Sequence, residues 1–300
     1  MTSPSLYPDA PPLSPFILGT ATFGREIDES ASFEFMDRAS ELGITLFDTA
    51  ATYSAGASET IVGHWLASRK PDPRRLTLAT KIYPPYTPEA IDKAVTASAA
   101  RLGVETLDVL YLHKWDADIE SDSALVALDG LLKSGRVRAL GISNFTSKQL
   151  ADVLTRQNQH GLTPFRIIQN NHNLAVRDVD NDLCQLCADH KITLVTYSPL
   201  GAGFLTGKHE HGVQANSRFA VSPGHQEIYF TPTAMERLAQ LKTLSQLCGH
   251  PMTTLALAWA IHAPGVDSVL IGGRTTKHLD QAFAALALTD TTVLSELRAI

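Results

Sequence analysis

Apolar residues recur along the chain in short runs of β type: FILGTATF from Phe16, ITLFD from Ile44, LTLATK from Leu76, LDVLYLH from Leu107, VRALGIS from Val137, FRIIQ from Phe165, ITLVTY from Ile192 and DSVLIG from Asp267. Each run is apolar on both faces, as parallel strands covered by helices should be. Between the runs, apolar residues fall at helical spacing, for example Phe33, Met36, Ala39 and Leu42, or Leu125, Leu128, Leu131 and Leu132. Thr87-Pro88-Glu89 offers an N-cap followed by proline at the first helical position, and Ser134-Gly135 closes the fourth helix. The first seven runs begin about 30 residues apart, the length of one strand-helix unit. The pattern predicts an α/β protein, a (β/α)8 TIM barrel.

The interval from Ile192 to Asp267 is longer and holds a stretch, residues 198–230, that reads as loop. Loops of that length in compact domains are mostly functional or disordered. Helical patterns follow at 233–247 and 253–261, the second introduced by Pro251 and ended by Pro264, and again at 275–288 and 295–300. Residues 1–15 carry Pro4, Pro8, Pro11, Pro12 and Pro15, which fits neither a helix nor a central strand and predicts a surface lead-in. No internal linker interrupts residues 16–300, so one barrel domain is expected. An open doubly wound sheet would place G-x-G-x-x-G after its first strand. This chain has GTATFG there, and Gly201, Gly203 and Gly207 follow the seventh run with the wrong spacing.

Composition narrows the class without changing the fold. A chain of 300 residues, 44% hydrophobic and 19% charged, can build a large core. A net charge of -6 argues against nucleic acid as partner. No segment reaches the roughly 18 uncharged apolar residues of a membrane span, and the N-terminus has no secretory pattern, so the expected location is cytoplasmic. Cys184, Cys187 and Cys248 make an odd set that argues against a disulfide framework. Cys184 and Cys187, with His190 nearby, lack further ligands for zinc and read as small apolar thiols on a helix, so no metal is expected.

In a (β/α)8 barrel the active site gathers at the C-terminal ends of the strands. The second run ends at Asp48, the third at Lys81 and the fourth at His113, and Tyr53 lies in the loop after the second. Each has a structural explanation when taken singly: a turn or cap aspartate, a snorkelling lysine, a core histidine, a packed loop tyrosine. Their coincidence at three adjacent strand ends favours chemistry. A phenol is a poor proton shuttle at neutral pH unless a nearby cation favours its ionised form, and Lys81 can be that cation. Asp48 can hold Lys81 charged, and His113 can donate a hydrogen bond to a substrate oxygen. A proton donor without a nucleophile calls for a source of hydride.

FDTAATYSAGASE, ATKI around Lys81, DVLYLH ending in His113, and GISNF at 141–145 together resemble the aldo-keto reductase family, over nearly the whole chain from Leu18 to Leu288. The resemblance implies a barrel that binds an extended nicotinamide cofactor, with Asp48, Tyr53, Lys81 and His113 as catalytic tetrad and Tyr53 as the general acid in reduction. It further implies cofactor contacts from Gly19, Thr20 and Asp48, carboxamide contacts from Ser143, Asn144 and Gln169, and an aromatic stack from Tyr197. Ser198, Pro199, Leu200, Gly201, Leu205, Lys208 and Arg218 resemble the loop that wraps the pyrophosphate. Gly272, Gly273, Arg274, Lys277, His278 and Gln281 resemble the segment that holds the adenosine 2'-phosphate, so NADP(H) is expected ahead of NAD(H).

Three departures qualify the likeness. Gln281 and Ala282 replace the Glu and Asn of many relatives, which leaves the choice of cofactor open. Gln169-Asn170-Asn171-His172 stands where relatives often have Q-x-E-Y, removing a carboxylate. The chain also finishes soon after Leu288, so the pocket walls are expected from Phe23, Tyr53, His113, Trp115 and the long loop. The form DTAxxYSxGxSE resembles the bacterial and potassium-channel β-subunit branch. The expected function is reduction of an aldehyde or ketone. The alternatives are a sugar or alcohol dehydrogenase, or a nicotinamide-sensing regulatory subunit with weak turnover. The oligomeric state is not legible.

Overall fold

All eight β-type runs become strands: β1 Phe16–Gly19, β2 Leu46–Asp48, β3 Thr77–Ile82, β4 Leu107–Leu112, β5 Val137–Ser143, β6 Ile167–Asn171, β7 Thr193–Tyr197 and β8 Ser268–Ile271. In the computed structural model, which describes residues 5–72 and 74–300, every strand pairs in parallel with its neighbours in sequence. β8 pairs with β1 and closes the (β/α)8 TIM barrel. The helices are α1 Glu29–Glu41, α2 Ala57–Arg69, α3 Pro88–Leu102, α4 Asp122–Lys133, α5 Ser147–Gln159, α6 Asn181–His190, α7 Arg218–Val221, α8 His225–Tyr229, α9 Pro232–Cys248, α10 Met252–Ile261, α11 Thr276–Ala285 and α12 Thr291–Ala299. The Thr87 hydroxyl caps α3 by accepting from Ala90 N at 3.3 Å, as the sequence predicts. The last helix begins ahead of the expected residue 295. Asp290 caps it there, its carboxylate accepting from Thr292 N and Val293 N at 2.8 and 3.2 Å.

The period of two along each strand explains where the polar groups go. Leu46, Ala79, Val109, Tyr111 and Ile167 fill the barrel interior. The inward-facing position two residues further along is Asp48 on β2, Lys81 on β3 and Gln169 on β6, while His113 lies two beyond Tyr111. The same face is therefore apolar at the bottom of the barrel and polar at its C-terminal mouth. Residues on the other face, such as Phe16, Phe47, Leu78 and Leu140, pack under the helices in the main core. Gly141 makes room inside the barrel, since a Cβ there would lie 2.6 Å from the Tyr111 ring.

Two stretches differ from their expected form. The lead-in is not merely a surface segment: Leu6 and Tyr7 are each only 6% exposed and join the interior barrel cluster. The Tyr7 hydroxyl bonds the Thr77 hydroxyl at 3.0 Å, and the Arg138 guanidinium lies 5.5 Å from the Tyr7 ring centre. A barrel leaves apolar side chains bare at its N-terminal end, and this segment covers them. Pro4, assigned to the same lead-in, lies outside the described residues. The long stretch at 198–230 is ordered, with a 3-10 turn at Gly201–Thr206 followed by α7 and α8. Phe204, Leu205, Phe219 and Tyr229 form a second core with α9, α10 and α12.

Candidate active site

Lys81 is 1% exposed at the centre of the mouth and uses its three donors on three acceptors. It pairs directly with Asp48 Oδ1, donates to the Thr49 carbonyl at 3.0 Å, and donates to the Tyr53 hydroxyl at 3.4 Å. Asp48 is fully buried, and its second oxygen accepts from Gln169 Nε2 at 3.0 Å. Burial works against the Lys81 ammonium and is the largest single influence on it. The charges and hydrogen bonds of Asp48 and Tyr53 together outweigh it, so its pKa lies above the ordinary lysine value. For Tyr53, burial outweighs the favourable charge of Lys81 and raises the phenol pKa above its ordinary value. Lys81 therefore does not ionise the phenol. It occupies a lone pair on the Tyr53 oxygen and leaves the hydroxyl proton free to be donated elsewhere.

His113 sits immediately after β4, its ring edge-on to Tyr53 at 5.8 Å and to Tyr83 at 5.9 Å between centroids. Burial, aided by the charge of Lys81, lowers its pKa to about 3, so the imidazole is neutral at ordinary pH. Its Nδ1 lies 3.2 Å from the Thr52 hydroxyl. Asn144 Nδ2 donates to the His113 carbonyl at 2.9 Å, and Asn144 Oδ1 accepts from the Tyr197 hydroxyl at 2.7 Å. Asn144 adopts φ +61, a left-handed conformation that asparagine tolerates better than most residues. Ser143 donates to the Gln169 carbonyl at 2.7 Å. Ser143, Asn144, Gln169 and Tyr197 thus join the same hydrogen-bonded web as the four residues at the centre.

The second group of expected residues surrounds the mouth on the other side. Lys208 and His278 both have lowered pKa values, first through burial and then through the charge of Arg274. Among the described residues neither Lys208 nor Arg274 has a carboxylate partner, which leaves an uncompensated positive cluster. His278 also caps α11, its Nδ1 accepting from Arg274 N and Thr275 N at 3.2 and 3.3 Å. Gly272 and Gly273 allow the backbone to pass closely here, since a Cβ on Gly273 would meet His278 at 2.8 Å. Lys277 and Gln281 are exposed on α11. Thr20 is fully buried beside Asp48, its hydroxyl donating to the Asp48 carbonyl at 3.0 Å, and Gly19 pairs with Asp48 in the sheet.

Several expected contacts are used differently. Arg218 pairs with Glu26 on the loop after β1, at 3.0 Å, and Arg25 meets the same carboxylate at 2.7 Å. Leu205 is fully buried in the core of the long loop. Ser198, with φ +58, opens that loop, and its carbonyl accepts from Gly201 N at 2.8 Å. Pro199 and Gly201 are buried beneath it and Leu200 is half-buried. Phe23 is 0% exposed and packs edge-on against Phe35 of α1, so its ring does not face the open mouth. Trp115 is half-buried and packs on the main core.

Other residues at the mouth were not singled out from the sequence. Tyr83 follows β3 two residues beyond Lys81 and is 48% exposed, with Lys114 Nζ 4.8 Å from its ring centre. The alternation along the strand is the signal that points to it. Asn171, noted in the sequence only as replacing the Glu of many relatives, accepts from the Tyr229 hydroxyl at 3.2 Å and ties the long loop to β6. Thr52 and Glu26 carried no signal, because their partners lie far away in sequence.

The barrel and its mouth define a class, a TIM barrel with a buried Lys-Asp pair bonded to a half-buried tyrosine at the C-terminal rim and a polar web around it. The sequence profile of the Aldo/keto reductase family matches residues 15–300, and the chain belongs to that family. It is 28% identical to norsolorinic acid reductase of Aspergillus flavus, over 95% of this chain and 75% of the relative. It is 27% identical to a putative aryl-alcohol dehydrogenase of Schizosaccharomyces pombe, over 92% and 88%. A probable aldo-keto reductase of Glycine max is 31% identical, over 90% and 78%. Membership makes the chain an oxidoreductase of a family that uses nicotinamide cofactors on small carbonyl substrates. Among the described residues no helix is long and apolar enough to cross a membrane.

Proposed function

We propose that the protein reduces an aldehyde or ketone to an alcohol, with Tyr53 as proton donor and NADP(H) as the preferred cofactor. The observation that carries this is the donation of Lys81 into the Tyr53 oxygen with Asp48 behind it. The nicotinamide, when bound, supplies the hydride that adds to the carbonyl carbon. Tyr53 gives its hydroxyl proton to the carbonyl oxygen, and Lys81 stabilises the phenolate left behind. Neutral His113 orients that oxygen by a hydrogen bond. Asp48 keeps Lys81 charged and aimed, and Gln169 holds Asp48 from the opposite side. The residues present fit the cofactor's chemistry. Lys208 and Arg274, beside the neutral His278, form a cationic pair that lacks a carboxylate partner among the described residues, which supports a phosphate at that end and favours NADP(H) over NAD(H). Ser143, Asn144 and Gln169 offer uncharged donors and acceptors suited to a carboxamide.

The same residues can run the reaction in reverse, and a relative named as an aryl-alcohol dehydrogenase favours that as the second reading. The unpaired Cys184, Cys187 and Cys248 support a cytoplasmic location. The test is to titrate NADPH and NADH separately, then follow cofactor oxidation with a panel of aldehydes, ketones and sugars. Tyr53→Phe is expected to cut turnover by about 10²- to 10⁴-fold while binding the cofactor normally. Turnover that survived the substitution with every active substrate would remove Tyr53 from its role, and failure to bind either cofactor would remove the reductase reading itself.

A further inference from the structure

We infer that Thr52 is a positioning residue: its hydroxyl donates to Nδ1 of His113 and so fixes the imidazole in the tautomer whose Nε2 carries the proton offered to the substrate oxygen. The inference rests on the role given to His113 above. The two atoms lie 3.2 Å apart. That contact is the only hydrogen bond of either group among the described residues, so Nε2 has no protein partner there. A neutral imidazole has a single ring proton, and the other nitrogen must then accept. A carbonyl oxygen only accepts, so His113 serves it only when the proton is on Nε2. That leaves Nδ1 as an acceptor, and among the described residues the one protein donor bonded to it is the Thr52 hydroxyl.

The surroundings leave the tautomer to Thr52. Tyr53 and Tyr83 meet the ring edge-on and fix its plane without bonding either nitrogen. Asn144 holds the His113 carbonyl and thus the backbone, again without reaching the ring. Burial, aided by the charge of Lys81, keeps the imidazole neutral and acts on both nitrogens. Thr52 is exposed and its hydroxyl makes no capping bond, so the hydroxyl is free to donate to Nδ1. It sits at the N-terminal end of the turn Tyr53–Gly56, one residue before the proposed proton donor. The proton donor and the group that sets the tautomer of its neighbour thus move as one short segment.

The test compares wild type with Thr52→Val, which keeps the branched shape, and Thr52→Ser, which keeps the hydroxyl. Nitrogen-15 spectra of histidine-labelled protein report the tautomer directly, the His113 signals being assigned by their loss in His113→Asn. Wild type and Thr52→Ser are expected to show the proton on Nε2, with Nδ1 shifted as a hydrogen-bond acceptor. Thr52→Val is expected to populate the other tautomer. Its kcat for carbonyl reduction should fall about fivefold to tenfold, the worth of one hydrogen bond, while cofactor affinity holds and Thr52→Ser restores the rate. A proton on Nδ1 in wild type, or an unchanged tautomer and rate in Thr52→Val, would overturn the inference. The spectra need no substrate or cofactor. A failed reductase reading would show instead as absent cofactor binding, while the tautomer was still decided.

Discussion

Lys81 is the residue on which the mouth of the barrel depends, because it is a charge held almost out of reach of water. Such a charge is tolerable only when its partners satisfy it, and Asp48, the Thr49 carbonyl and Tyr53 do so together. Removing one member of a buried pair leaves the other unpaired. Lys81→Met is therefore expected to destabilise the fold by about 3–5 kcal/mol. Adding Asp48→Asn should recover part of that stability without restoring turnover. Chemical denaturation of both variants measures the effect, and a single variant as stable as wild type would mean that the pair carries no net stabilisation. At this scale the sequence was informative about residue types. Asp48, Lys81 and His113 stand at the ends of apolar runs, where the barrel rule points. On protonation it offered Lys81 as the cation that would favour the ionised phenol, which the enclosed site does not bear out. Whether Lys81 or burial governs the Tyr53 phenol depends on how completely the site is enclosed, and burial prevails.

Elements were legible wherever their own residues determine them. The strands and the starts of helices such as α3 follow from apolar runs and local caps, which need no distant partner. The N-terminal lead-in was not, since proline-rich composition says only what the segment avoids. Its Leu6 and Tyr7 are buried because the barrel above them presents Ile17, Leu46, Ala79 and Val109, residues brought together only by closure. Tyr7→Ala is expected to lower stability by about 3–5 kcal/mol, as for other buried aromatic truncations, while leaving cofactor binding at the opposite end of the barrel intact. A thermal melt together with a cofactor titration checks both halves. A variant as stable as wild type would show that the segment is dispensable to the core.

Across the whole molecule, the long loop after β7 is joined to the loop after β1, two strands round the rim, by Arg218 and Glu26, at 25% and 9% side-chain exposure. Arg274 Nη1 also donates to the Asn216 carbonyl at 2.9 Å, fastening the same loop to the segment after β8. Read as a tether, the Arg218 bridge should slow the release of whatever lies beneath the loop. A partly exposed ion pair is worth about 0.2–1 kcal/mol, so Arg218→Ala and Glu26→Gln should each speed cofactor release by at most about fivefold, and more weakly at high salt. Stopped-flow measurement of the off-rate decides the matter. If Arg218 instead contacts the cofactor itself, only its own substitution will weaken binding.

The sequence by itself determined the repeat of strand and helix, the barrel that such a repeat closes into, and the residues at the strand ends, because periodicity and strand-end position are local properties. The tertiary structure decided which side chains meet. It paired Lys81 with Asp48 and Tyr53, buried Phe23 in the core, turned Arg218 to Glu26 and set Thr52 against His113. Those contacts join residues from different strands and loops. Hydrogen bonds and charge pairs act over a few ångströms in space whatever the separation along the chain, so only the closed barrel could settle them.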